Sequence, residues 1–69
     1  MSEEVFERIK TKALAVPGMT EQEALFLATI RSNPRFSERT LRKDGMSREE
    51  YAEIRWSGMQ KYIAFYGEW

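Results

Sequence analysis

The stretch Thr20-Glu21-Gln22-Glu23-Ala24-Leu25-Phe26-Leu27-Ala28-Thr29-Ile30-Arg31-Ser32 decides the fold. It opens with a capping box. The Thr20 hydroxyl is placed to accept from the backbone N–H of Glu23, and the Glu23 carboxylate is placed to reach back. The densest apolar run of the chain follows, Ala24 to Ala28, with Ile30 just beyond. A helix apolar on so many sides has to be surrounded by other elements. Residues 20–32 therefore read as the central helix of an all-α domain, with Leu25, Phe26, Leu27 and Ile30 in the core.

Upstream, Ser2-Glu3-Glu4 is a helix start, with acids at the positive end of the helix dipole. Val5, Phe6, Ile9, Ala13 and Val16 recur at helical spacing. Pro17-Gly18 ends that helix, because the residue before proline is pushed out of the α region. Its span is about 3–16. Downstream, Asn33-Pro34 breaks the central helix and starts a short one over 34–43, with Phe36 and Leu41 inward and Asp44-Gly45 as its end. Ser47-Arg48-Glu49-Glu50 is a second capping-box sequence, and Met46 and Tyr51 stand at the two positions of a hydrophobic staple. The last helix runs over 48–66. Tyr51, Ile54, Gly58, Met59, Tyr62, Ile63 and Tyr66 make its inward stripe, and Gly67 caps it. Glu68 and Trp69 follow as a tail. The expectation is one domain over 1–69, a small bundle of four helices joined by short connections.

Composition bounds the function. A chain of 69 residues has room for one domain and buries only about 60% of its unfolded surface. Chains of this size usually need a staple. With no Cys and no His, disulfides, thiolate metal sites and the commonest general base are excluded. A homo-oligomer is the staple still open. Catalysis needs a nucleophile with a base, tuned carboxylates, a metal or a cofactor cradle. Ser and Thr are used mostly as caps and there is no Gly-rich phosphate loop. Glu49, Glu50 and Glu53 share a helix start, and although Glu49 and Glu53 at i, i+4 have the spacing to hold a divalent cation, the stronger reading is solvated acids where a helix start favours them. We therefore expect no enzyme, no metal and no cofactor. No apolar run approaches the roughly 20 residues of a membrane span, and Met-Ser-Glu-Glu is no signal peptide. The expected location is the cytoplasm.

The net charge is zero but unevenly spread. Residues 1–30 and 49–69 each carry −2, and residues 31–48 carry +4 from Arg31, Arg35, Arg39, Arg42, Lys43 and Arg48 against Glu38 and Asp44. An arginine-rich patch attracts phosphate or an acidic protein surface, because the guanidinium pairs bidentately with both. Six of the nine aromatic residues lie within 51–69. The inward stripe leaves Trp56, Phe65 and Trp69 without evident core positions, and Trp and Arg are favoured interface anchors.

Ser37-Glu38-Arg39-Thr40-Leu41-Arg42, followed by Gly45-Met46-Ser47 and Glu50-Tyr51, resembles the second helix-turn-helix of AraC-type regulators over about fifteen residues. The recognition helix is about a turn shorter here than in that family. The resemblance implies that Arg39, Arg42 and Lys43 lie near DNA.

The leading expectation is a small non-enzymatic regulator or inhibitor, of a kind often encoded by phages and mobile elements. It docks on a larger protein through Arg31, Arg35, Arg39, Arg42, Lys43 and Arg48, with Trp56, Phe65 and Trp69 as anchors. The alternative is a dimeric, helix-turn-helix-like DNA binder. Zero net charge weighs against it, since nucleic-acid domains are usually basic overall.

Overall fold

A computed structural model describes residues 3–33, 41–42 and 45–69. Three helices are seen among the described residues, and no strand: α1 (Glu3–Leu14), α2 (Glu21–Ser32) and α3 (Arg48–Tyr66). The all-α class is as expected. The count differs from the expected four, and the short helix expected over 34–43 lies largely outside the described residues. No described helix is long and apolar enough to cross a membrane.

The boundaries follow local chemistry. Thr20 is extended (φ −87°, ψ 159°), its hydroxyl accepts from Glu23 N–H at 3.1 Å, and its own N–H donates to Glu23 Oε1 at 2.9 Å. Both halves of the capping box are in place. Ser47 caps α3 by accepting from Glu50 N–H at 3.1 Å, and Met46 packs against the cluster that contains Tyr51. Gly67, at φ 82°, takes the left-handed conformation that glycine adopts without a Cβ penalty, and its N–H closes α3 on Ile63 O. α1 ends at Leu14, two residues short of the expected span. Pro17 disfavours helical backbone at Val16, so the chain leaves α1 through single bonds from Ala15 N–H to Thr11 O and from Val16 N–H to Ala13 O.

α2 packs against both other helices, and a separate apolar cluster forms on each of two sides of it. Ala24 and Leu27 join Ala13, Val16 and Tyr62, with Met19, Met59, Tyr66 and Trp69 against them. Phe26 joins Leu41 and Tyr51, with Ile30, Met46 and Ile54 around it. The Phe26 and Tyr51 rings lie 5.5 Å apart, within the range of a favourable aromatic pair. Adjacent residues of a helix point about 100° apart, so burying both Phe26 and Leu27 takes partners on two sides.

Two assignments to the core fail. Leu25 is 37% exposed and belongs to neither cluster, because α1 and α3 leave its side of α2 open. Ile63 is 38% exposed. α3 meets α2 along the narrow line Tyr51–Gly58–Tyr62, and Ile63, one position on from Tyr62, falls outside it. A Cβ at Gly58 would stand 3.2 Å from Glu23 Cβ, tighter than most real Cβ contacts, and at an ordinary 3.5 Å from Leu27 Cγ.

Leu27 is fully buried at the centre of the larger cluster. Leu27→Ala is expected to lose about 2–5 kcal/mol of unfolding free energy in denaturant titration, from lost transfer energy plus the cavity left behind. A near-neutral result would mean that this cluster is not the core.

Candidate functional site

Glu23 is a carboxylate at the crossing of α2 and α3, 6% exposed. Lys61 Nζ donates to Glu23 Oε1 at 2.8 Å and Oε2 at 3.1 Å, and to Gly18 O in the α1–α2 connection at 2.9 Å. Burial alone would raise the Glu23 pKa. Hydrogen bonds from Lys61, Ser57 and Thr20 N–H, with the charge of Lys61, outweigh burial and hold it at about 2 instead of 4.5. A perturbed carboxylate is a candidate for chemistry, but every bond described for this one is internal. It serves as a lock that fixes α3 relative to the α1–α2 hairpin, and so places the surfaces on which the remaining polar groups stand.

The basic block is divided. Arg31 donates through Nη1 to the main-chain oxygen of Trp69, and its guanidinium lies 5.3 Å from the Trp69 ring centre. Arg42 donates through Nε and Nη2 to Met46 O at 3.2 and 2.9 Å, bracing the turn before α3. Arg48 is exposed in the first turn of α3. Arg35, Arg39 and Lys43 lie outside the described residues, as does most of the segment that resembles the AraC-type motif.

The aromatic residues separate in the same way. Trp69 is no free tail. It is half-buried against the larger cluster, edge-on to Tyr62 at 5.2 Å. Phe65 is 52% exposed and stands edge-on to Tyr66 at 4.8 Å. Trp56 is 64% exposed. It stands two positions from Gly58, about 200° round the helix, so it points away from the crossing with α2. Ile63, two turns on, shares its line.

A cleft of about 260 Å³ opens where α1 meets the end of α3. Val5, Arg8, Ile9 and Lys12 of α1 form one wall, and Arg31, Tyr62 and Trp69 form the other. Three cations line it, and no Asp or Glu side chain is among its lining residues. Lys12 Nζ lies 4.6 Å from the Tyr66 ring centre and 5.8 Å from that of Tyr62. The sequence reading passed over Arg8 and Lys12. Their i, i+4 spacing was the available signal, but only the docking of Trp69, far along the chain, turns that pair into a wall.

Two outcomes follow. The folded Glu23 carboxyl holds its proton less tightly than the unfolded one, so the unfolded chain binds more protons as pH falls from about 4.5 to 2, and stability drops across that window. The lock's contribution, about 3 kcal/mol, is present above this window and lost below it. Denaturant titrations against pH are expected to show this loss in the parent chain and a flatter profile, with lower stability at pH 7, in Glu23→Gln. Trp69→Ala is expected to lower stability by about 2 kcal/mol, less than for a fully buried aromatic residue. An unchanged thermal midpoint would mean that Trp69 does not close the core.

No family model, curated protein or solved structure matches the chain, so the reading of these surfaces rests on their geometry.

Proposed function

We propose that the protein is a non-enzymatic binding module, a regulator or inhibitor that docks on a larger protein through the outward face of α3. The observation that carries this reading is Trp56, 64% exposed on the side of α3 turned from the core. Ala52 and Ile63, both exposed, extend its line. Tryptophan is the residue type most enriched at interface hot spots, and an outward apolar line on a small domain favours a contact surface. Charge frames the line. By helical position, Glu49 continues the line one heptad before Trp56, Glu53 lies along one edge, and Arg48 and Arg55 along the other. The partner that fits is a protein surface with an apolar groove for Trp56 and Ile63 and a rim carrying both signs of charge. Of the expected anchors, Trp56 stands on this face; Phe65, nine positions on, is exposed but falls about 180° round the helix from it. Trp69 and Arg31 serve the fold.

The test places a photo-crosslinking amino acid at position 56 and, as a control, at the exposed position 11 in cells that make the protein. The expected result is one protein captured from position 56 alone. That protein, purified, should bind the parent chain with 1:1 stoichiometry. Trp56→Ala should weaken binding by about thirtyfold or more, the loss typical of a hot spot, while helical circular dichroism stays unchanged. Capture of a second copy only, with a doubled solution mass, would overturn the reading in favour of self-association. Salt-sensitive binding to duplex DNA that survives Trp56→Ala would overturn it in favour of the basic block.

A further inference from the structure

We propose that the cleft between α1 and the end of α3 binds a small organic anion: an anionic head held by Arg8 and Lys12, on a flat apolar body received by Tyr62, Trp69 and Ile9. This goes beyond docking through α3 and does not depend on it.

Three observations carry the inference. The first is the sign of the lining. Arg8, Lys12 and Arg31 all border a cleft of about 260 Å³ with no acidic side chain in its wall. Like charges are costly to bring together, and an anion among them relieves that cost. Arg31 is already engaged by the ring and main-chain oxygen of Trp69. Arg8 and Lys12 are a different case. Glu4 and Glu7 border the adjoining surface of α1 with them, yet neither forms an ion pair with Arg8 or Lys12 among the described residues. The i, i+4 spacing of Arg8 and Lys12 sets both over the same opening.

The second observation is how Lys12 is held. Its ammonium rests near the rings of Tyr66 and Tyr62, at 4.6 and 5.8 Å from their centres. Aromatic faces attract a cation without neutralising it. They position Lys12 at the cleft and leave its charge for a ligand. Tyr66 secures the arrangement by donating its hydroxyl to Lys12 O, which ties the end of α3 to that turn of α1.

The third is the rest of the wall. Val5 and Ile9 are half-buried beside the two cations, and Tyr62 and Trp69 face them. A bare inorganic ion would leave this apolar surface wet. A planar ring fits the volume and covers it. Arg8 suits phosphate and carboxylate heads alike.

The test is isothermal titration calorimetry of the full chain at low salt with phenyl phosphate, benzoate, inorganic phosphate and phenol, followed by amide shifts in nuclear magnetic resonance spectra. The expected result is saturable 1:1 binding of phenyl phosphate or benzoate, the tighter of the two identifying the head group. Inorganic phosphate and phenol should bind at least about tenfold more weakly, and the shifts should centre on residues 5–12 and 62–69. Arg8→Gln and Lys12→Gln should each weaken binding about tenfold or more, the loss expected for a charge-assisted hydrogen bond. Lys10→Gln, on the same helix outside the cleft, should leave it unchanged. If Lys12→Gln loses helical circular dichroism, Arg8→Gln decides alone, since Arg8 has no described contact on which the fold depends. Absence of saturable binding by both aromatic anions would overturn the proposal. So would equal binding of inorganic phosphate, or affinity indifferent to Arg8→Gln.

Discussion

The structure turns on one buried charge. Glu23 accepts from Thr20 N–H at the start of α2 and from Lys61 on α3, while Lys61 also donates to Gly18 O in the connection that precedes α2. Taking a carboxylate out of water costs several kcal/mol, recovered only when its lone pairs are filled and its charge is opposed. Here the groups that fill them come from α2 and α3. Moving α3 away would strand the carboxylate, so the charge specifies the docking of α3 as well as stabilising it. A small domain with no disulfide gains such specificity from few other sources.

Gly58 is the other half of that constraint. Mid-helix glycine costs about 1 kcal/mol relative to alanine. The cost is offset because α3 can settle against Glu23 and Leu27 at a distance that a Cβ would disturb. Close approach brings Lys61 within reach of the carboxylate and seats Tyr62 in the larger cluster.

What the sequence made legible was the local chemistry. Thr20 with Glu23, Ser47 with Glu50, and Gly67 name their own helix ends, because a cap is satisfied by residues three or four positions away. The central place of α2 was also legible, from an apolar run too wide for one partner. Leu25, Ile63 and Trp69 were not. Whether each is covered depends on where another helix crosses, and periodicity carries no information about crossing. Arg31 illustrates the limit. It belongs by composition to a basic block, but it is taken up by a tryptophan 38 residues later. Charge counted along the chain overstates the charge on offer at the surface. Arg8 and Lys12 show the reverse, lying in an acidic-leaning segment and becoming the cationic wall only once Trp69 folds back.

The cleft and the core share their parts, and that links ligand to stability. Tyr62, Tyr66 and Trp69 close the larger cluster on one side and border or support the cationic wall on the other. In the unfolded chain Arg8 and Lys12 remain neighbours, but the aromatic wall is gone, so an aromatic anion selects the folded state. A ligand that binds only the folded state adds RT ln(1 + [L]/Kd) to its stability, about 2.7 kcal/mol at one hundred times Kd. For a domain whose whole stability is of order 5 kcal/mol, that increment is large. Repulsion between Arg8 and Lys12, and an aromatic residue left only half-buried, both weaken the unliganded fold at the point where an anion would strengthen it. Trp56 stands on the far side of α3, connected to this region through one continuous helix that the Glu23–Lys61 lock holds in place. A ligand in the cleft would therefore firm the seat of the helix that carries the proposed docking surface, without touching that surface.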